Sequence, residues 1–402
     1  MAQAQVRRRR VFYIPGYDPM PPRRYRELYR REGAAQAALR GYEIALSNGT
    51  PSGWSVETRI EGEVVETACE VLVWSDIVRD SMEAGVGATY WQMCRTAWIY
   101  LSTGAFSRLM GLRKGPVIAA LYPMAMLLAQ LAAALAAAGA LVGIAGVFVP
   151  TVMASAVGGL GLVAVLRWFR KMDGRFFAYY LMHNYAFSAR FKGANPPALE
   201  ARIAEFARIL SDALADDVDE VLVVGHSSGA HVAISVLAEV VRAGKVPANG
   251  PRLSFLSLGQ VVPMVSFLPD AHRLRADLRL LGSTRALAWV DVSAPGDGCT
   301  FALCDPVAVA GVADSPRTGP LILSAAFTHT LRPETWSKLR RHHFRLHFQY
   351  LCAFDNLPAR RDAYDYFAVT AGPLTLAGRF GTRAPSRSRI ERPASRYIST
   401  AA

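Results

Sequence analysis

Residues 221–231 read VLVVGHSSGAH and contain the motif Gly-x-Ser-x-Gly, with Ser227 between Gly225 and Gly229. The Val- and Leu-rich run before the motif predicts a buried parallel strand, and the Ala- and Val-rich run after it predicts a helix packed on a sheet. A sharp turn between them requires small residues. It would hold the Ser227 hydroxyl at the tip of the sheet, beside the start of the helix. The pattern therefore predicts that Ser227 is a nucleophile, and the alternative is an ordinary strand-to-helix turn.

Strand and helix patterns alternate along most of the chain, and its 402 residues suffice for one large domain with insertions or two medium ones. Strand patterns occupy residues 11–14, 54–60, 71–74, 252–258 and 285–292, and helical patterns occupy 22–41, 199–214 and 270–281. This alternation predicts an α/β fold with a mostly parallel sheet flanked by helices.

Residues 115–166 contain no charged side chain, which is enough for two membrane spans of about 20 residues each. We place the spans at 117–138 and 144–166, with a tight turn at 139–143. The alternative is a buried helical hairpin in a soluble lid. Arg and Lys residues flank the hairpin on both sides and are absent from its turn, so the positive-inside tendency predicts that both outer ends are cytoplasmic. The sequence thus predicts an integral protein of the cell membrane, with both termini and the globular part in the cytoplasm.

The remaining composition excludes several classes of protein. The apolar run 11–14 is too short for a secretion signal, and five cysteines without a CxxC pair favour reduced cytosolic thiols. His343 and His347 have the spacing of metal ligands but lack an acidic third ligand, so we expect no metal and no cofactor. The net charge is +13, yet no nucleic-acid-binding module accompanies it. We expect the basic tail at 378–402 to be disordered and to be either attracted to anionic lipid or merely solvated.

The GHSSG motif and the β/α alternation, over residues 11–18 and 195–350, make the chain resemble the α/β-hydrolase family, especially its membrane-attached lipases and esterases. The resemblance implies an oxyanion hole formed by the N–H of Ser228 and a second N–H from Gly16 or Tyr17. Family members often have His-Gly where this chain has Pro-Gly, so the resemblance does not specify whether Gly16 or Tyr17 is the second donor. A plain turn is the alternative at that position.

The order of residues in this family places an acid and then a histidine after the serine. The strand at 285–292 is followed by the Gly-flanked Asp297, which we predict to be the acid, with Asp291 as the alternative and Asp305 as a third candidate. His347 lies among apolar and aromatic residues that could keep an imidazole neutral, so it is the predicted base. The other candidates for the base are His329, His342 and His343.

The sequence therefore predicts a membrane-anchored serine hydrolase that cleaves an ester or thioester of a lipid or acyl-chain substrate through Ser227, His347 and Asp297. An acyltransferase or thioesterase on the same fold, and an inactive interaction module, remain alternatives. The expected organisation is a hydrolase domain in two parts (1–76 and 195–377), a helical cap (77–114), the hairpin (115–166), an aromatic juxtamembrane segment (167–194) and the tail. The expected partners are the substrate and the bilayer, with no specific nucleic acid.

Overall fold

The computed structural model describes residues 5–49 and 52–401, apart from the side chain of Asn48. The first four residues of the predicted amino-terminal part and Ala402 of the predicted tail lie outside the described residues. The described chain has an α/β architecture in which one mostly parallel sheet is flanked by helices, as the alternating patterns predict. Two further helices are long and apolar enough to cross a membrane.

The sheet has eight strands in the described residues, in the order β2-β3-β4-β1-β5-β6-β7-β8. The strands are β1 (Arg8–Ile14), β2 (Glu43–Asn48), β3 (Gly53–Ile60), β4 (Glu63–Val71), β5 (Glu220–His226), β6 (Arg252–Leu258), β7 (Leu287–Ser293) and β8 (Leu321–Ser324). From β4 to β8 every neighbouring pair is parallel, whereas β2, β3 and β4 form an antiparallel meander at one edge. The strand that precedes Ser227 is therefore central and covered on both faces.

Three strand assignments differ from the sequence prediction. The sequence predicts a strand at 71–74, whereas the strand in this region is β4 and ends at Val71. Val65, Thr67, Cys69 and Val71 alternate toward the interior along β4, which is the pattern of a strand with one buried face. β2 was not predicted, since its half-exposed edge position gives a weak apolar pattern. β8 was not predicted either, because it contains only four residues.

The helices surround the sheet and form the inserted segment. They are α1 (Pro22–Arg40), α2 (Ser75–Met82), α3 (Val86–Ser102), α4 (Ala105–Leu112), α5 (Lys114–Ala145), α6 (Thr151–Lys171), α7 (Asp173–Phe176), α8 (Ala178–Ala189), α9 (Pro197–Ala213), α10 (Gly229–Arg242), α11 (Pro263–Ser266), α12 (His272–Ser283), α13 (Pro306–Val309), α14 (Phe327–Thr330), α15 (Pro333–Leu339), α16 (His343–His347), α17 (Tyr366–Ala371) and α18 (Leu376–Phe380), with a 3-10 helix at Gln349–Leu351.

Alternate side chains of the central strands enter two different cores. Val221 and Val223 of β5 pack with α9, α10 and α12, whereas Leu222 and Val224 pack with α1, α17 and α18. Because successive side chains of a strand point to opposite faces, a strand buried on both faces is apolar at every position. This explains why the run at 221–224 contains only Val and Leu.

The two apolar helices α5 and α6 pair with each other as a hairpin, but its turn is not where the sequence predicts it. α5 continues through Gly139 and Gly143, and the connection lies at residues 146–150. Gly costs a helix only about 1 kcal/mol relative to Ala, so two isolated glycines do not end an Ala-rich run. Only 17% of the most apolar window of each helix is buried, which is low for the core helix of a soluble protein.

The basic tail follows the surface of the domain instead of forming the disordered segment that its composition predicts. The N–H of Ile390 donates to the carbonyl of Leu303 at 2.8 Å, and the Ile390 carbonyl accepts from Asp305 at 2.9 Å. The Arg275 guanidinium donates to the Ser399 carbonyl at 2.7 Å. The tail is ordered because its backbone finds partners on the loop around α13 and because Ile390 packs against an apolar cluster there.

Candidate active site

Ser227 lies in the turn between β5 and α10 with a φ of 56°. This left-handed conformation is uncommon for a residue with a Cβ and marks stored backbone strain. The turn also requires both glycines of the motif. A Cβ on Gly229 would lie 2.1 Å from the Ile14 carbonyl oxygen, and one on Gly225 would lie 2.8 Å from the Cα of Ala230. The geometry is that of the tight strand–serine–helix turn that exposes a nucleophile at the end of a sheet.

His347 and Asp297 are hydrogen-bonded to each other, with 2.8 Å between His347 Nδ1 and Asp297 Oδ2. Asp297 follows β7, and His347 ends α16 in the segment after β8. Both side chains are buried. A carboxylate on Nδ1 favours the tautomer with its proton on that nitrogen, which leaves Nε2 free to accept a proton.

Ser227 and His347 line the same cavity, of about 100 Å³, which we call the catalytic cavity. Both residues are described, and no hydrogen bond joins them in this structure. Bonds of this kind are often long without substrate and tighten when it binds. The arrangement therefore places a candidate nucleophile and a paired imidazole at one site.

Two hydrogen-bond partners of Asp297 are not predicted from the sequence. The Tyr350 hydroxyl donates to Asp297 Oδ2 at 3.1 Å, and the N–H of Cys299 donates to Oδ1 at 2.9 Å. Tyr350 also accepts a hydrogen bond from the N–H of Ala294 at 3.0 Å, so its own position is fixed. Burial, followed by the charge of Asp297, raises the pKa of Tyr350 well above its usual range. Its spacing of three residues from His347 was the only signal for this role, because it places both on one side of a helical turn.

The alternative acids have other partners. Asp291 accepts a hydrogen bond from the Ser257 hydroxyl at 2.7 Å, and complete burial in the sheet raises its pKa to about 7. Asp305 caps α13 by accepting from the N–H groups of Val307 and Ala308, each at 3.0 Å. In the described residues neither carboxyl group bonds to a histidine.

The alternative bases are exposed. His329 lies in the four-residue helix α14, and His342 and His343 lie at the start of α16. Within the part of the chain that the structure describes, none of these three rings bonds to an acidic side chain. Of the histidines predicted as possible bases, only His347 is brought to Ser227.

His226, which directly precedes the serine, contacts His347. Its Nε2 lies 2.9 Å from the carbonyl oxygen of His347, and the two ring centroids are 4.8 Å apart. Burial, with the neighbouring His347, lowers the pKa of His226 to about 3, so the ring is neutral near pH 7. Since a carbonyl can only accept, Nε2 must be the protonated nitrogen of His226. The contact joins His347 to the turn that contains Ser227.

The N–H groups of Gly16, Tyr17 and Ser228 have no hydrogen-bond acceptor among the described residues, and all three residues line the catalytic cavity. A Cβ on Gly16 would lie 3.1 Å from the Cβ of Ser227, so the turn after β1 touches the serine. The predicted oxyanion residues are thus together at the site.

The cavity is covered mainly by α8. Tyr180, Leu181 and Asn184 line it from that helix, and Phe344 of α16 lines it as well. The predicted aromatic juxtamembrane segment, 167–194, therefore covers the cavity that contains Ser227. None of the residues of the predicted helical cap, 77–114, lines this cavity.

In the residues that the structure describes, no three His, Cys, Asp or Glu side chains come together as metal ligands. Comparisons with protein-family models, with curated proteins and with solved structures find no match to this chain. The resemblance to α/β-hydrolases therefore rests on the residues of the motif and the arrangement around them.

Proposed function

We propose that this protein is a membrane-anchored serine hydrolase with an α/β-hydrolase fold that cleaves an ester or thioester through Ser227, His347 and Asp297. The main support is that the strained turn of Ser227 and the His347–Asp297 pair lie in one cavity. The three residues follow β5, β7 and β8, so all of them lie at the carboxyl edge of parallel strands. Ligands bind at this edge in open α/β sheets.

In the first half of the proposed reaction, Ser227 Oγ attacks the substrate carbonyl carbon while its proton passes to His347 Nε2. The carbon–oxygen bond to the alcohol, or the carbon–sulfur bond to the thiol, then breaks. The leaving group takes the proton from His347, and Ser227 is left acylated. Asp297 keeps its charge throughout and stabilises the protonated imidazole.

In the second half, water attacks the acyl carbon and gives its proton to His347. The bond between the carbon and Ser227 Oγ breaks, Oγ regains the proton, and a carboxylic acid leaves. Both steps place negative charge on the carbonyl oxygen. The unpaired N–H groups of Ser228 and of Gly16 or Tyr17 are suited to stabilise that charge, and each such donor contributes about 10²–10³-fold to kcat.

The membrane part of the proposal rests on α5 and α6. Large apolar side chains are exposed along both helices, which is unfavourable in water and expected in lipid. Lys114 begins α5 and Lys171 ends α6, so the cationic ends lie together at the side of the hairpin that joins the sheet domain. We assign that side to the cytoplasm by the positive-inside tendency.

The proposal is tested by labelling membranes that contain the full-length protein with a fluorescent fluorophosphonate. Such a probe reacts only with a serine activated by a base. We expect labelling of the wild type and none of Ser227→Ala. The matched control is Ser228→Ala, which removes a neighbouring hydroxyl but keeps the backbone N–H, and it should be labelled like the wild type.

Failure of the folded wild type to react, also with detergent present to open the cap, would contradict the proposal and favour a non-catalytic module. Labelling of Ser227→Ala would show that another residue is the nucleophile. Product analysis with an added alcohol separates hydrolysis from acyl transfer, because a transferase would yield a new ester.

A further inference from the structure

A second cavity, of about 130 Å³, adjoins the catalytic cavity and shares Tyr185 and Met264 with it. We call it the apolar cavity, because Thr96 and two tyrosines are the only lining residues with a polar side chain. The hydroxyl of Tyr100, which also lines it, is already bonded to the Met264 carbonyl at 2.8 Å. The polar groups of a polar ligand would find no hydrogen-bond partner there, whereas an alkyl chain has no polar groups and loses no hydrogen bond.

The walls of the apolar cavity come from the cap and from the hairpin together. Ala97 and Leu101 belong to α3, Phe106 belongs to α4, and Ala120 and Leu121 belong to α5. One wall of the cavity is therefore the first three turns of a helix that is apolar enough to cross a bilayer. This wall lies close to the catalytic cavity, which Pro116 of the same helix lines.

The apolar cavity reaches an apolar outer surface. Leu101 is 61% exposed and Leu121 is 41% exposed, although both line the cavity. Trp98, one turn before Leu101 on α3, is 71% exposed. Exposed large apolar side chains beside a hydrophobic helix are typical of a surface that contacts lipid. The cavity thus lies between that surface and the serine.

The catalytic cavity, in contrast, has polar groups at its walls, among them Ser188, Asn184 and His347 beside Ser227. The two adjoining cavities therefore match a molecule with an ester at one end and a long alkyl chain at the other. We propose that the apolar cavity binds the acyl chain of a membrane lipid ester, which enters from the bilayer between α3 and α5 and brings its carbonyl to Ser227. This inference rests on the proposed function and names its substrate class as long-chain lipid esters.

The inference is tested with full-length protein in detergent micelles and a series of p-nitrophenyl esters from acetate to palmitate. Ala97→Phe and Ala120→Phe each fill part of the apolar cavity from a different wall. We expect each to lower the ratio of kcat/KM for palmitate to kcat/KM for acetate about tenfold or more, since a few methylenes in an apolar site change kcat/KM by that amount. The matched control, Ala129→Phe on the exposed side of α5, should keep the wild-type ratio.

A second measurement does not depend on catalysis. A diazirine-bearing palmitic acid is photolysed with the Ser227→Ala protein, and we expect cross-links to peptides within residues 96–124 that Ala97→Phe reduces. Wild-type chain-length ratios in both cavity variants, without such cross-links, would overturn the acyl-chain site and leave the serine hydrolase in place. Cross-links in this cavity without fluorophosphonate labelling or ester cleavage by the wild type would instead refute the hydrolase and support the lipid site.

Discussion

Ser227 adopts a backbone conformation that costs a residue with a side chain about 1–3 kcal/mol. The cost is met because the turn is held on both sides. Ser227 N–H donates to the Leu258 carbonyl at 2.9 Å, and Gly229 fits against the carbonyls of Ile14 and Pro15 where no side chain could. Residues that combine such strain with exposure to a cavity commonly belong to functional sites.

Asp297 should be the carboxylate on which catalysis depends. Asp297→Asn replaces one oxygen by an amide NH₂, which favours the wrong tautomer of His347. We expect kcat for a soluble short-chain ester to fall by about 10³–10⁴-fold, with the protein still folded. Asp291→Asn is the matched control, because its carboxyl bonds to Ser257 and not to the base, and kcat should stay near the wild-type value. Equal losses in both variants would contradict the assignment.

Because Asp291 is buried, we expect the free energy of unfolding of the protein to fall as pH rises from about 4 to about 7. Its pKa in the folded protein is raised from 3.8 to about 7 by burial, so the folded state binds the proton more tightly than the unfolded state does. The resulting contribution of Asp291 to the free energy of unfolding is fully present below about pH 4 and is lost as pH rises to about 7. Its largest value is about 4 kcal/mol. We expect the melting temperature of Asp291→Asn, relative to wild type, to increase over this range. A constant difference would show that Asp291 is ionised at all these pH values.

At the scale of elements, the hairpin packs through small residues. A Cβ on Gly158 would lie 2.4 Å from Cγ2 of Val142 and 3.1 Å from the carbonyl oxygen of Ala138, and one on Gly161 would meet the side chain of Leu141 at 2.2 Å. α6 thus approaches the backbone of α5 on the face that holds these glycines. Close approach through Gly and Ala is the usual means by which helices associate in lipid, where apolar burial between helices gives no advantage.

Gly158→Val should therefore weaken the hairpin. The added side chain meets both Val142 and backbone, so we expect a cost of about 1–3 kcal/mol and a lower melting temperature in detergent micelles. Gly159→Val is the matched control, since a Cβ there meets nothing within 4 Å, and its effect should be small. Equal destabilisation by the two variants would indicate helix propensity and not packing as the cause.

At the scale of the whole molecule, the hairpin begins after α4 and ends before α7. The sheet therefore contains strands from the chain segment before the hairpin and from the segment after it. β1 pairs with β4 from before the hairpin and with β5 from after it. A hairpin with both ends on one side of a membrane permits this pairing, whereas a single span would separate β1 from β5. The pairing therefore requires both ends of the hairpin to lie on the same side and leaves the choice of side to the flanking cations.

The orientation can be checked with one introduced cysteine at a time and a membrane-impermeant maleimide, in a background in which Ser replaces the cysteines that are not buried, Cys94, Cys299 and Cys352. Phe148→Cys lies in the exposed turn of the hairpin, and Thr382→Cys lies on the surface of the sheet domain. We expect Phe148→Cys to react in intact cells and Thr382→Cys to react only after permeabilisation. Reaction of both in intact cells, or of Thr382→Cys alone, would reverse the assignment or refute the span.

The sequence by itself determined the α/β class, the serine turn and the existence of two apolar helices. Each of these is local: the run at 221–231 contains the strand, the turn and the helix, and residues 115–166 show their hydropathy directly. It also predicted Asp297, after β7, as the acid. Asp291 and Asp305 remained possible, because spacing along the chain does not determine which groups a side chain contacts.

Only the tertiary structure decided which histidine meets Asp297, where the hairpin turns and what the tail does. His347 lies 50 residues after Asp297, and their contact depends on how the segment after β8 folds back to the sheet. The turn of the hairpin depends on the pairing of α5 with α6, and the tail is ordered by partners around α13. These are contacts between distant parts of the chain, and no local pattern of residues specifies them.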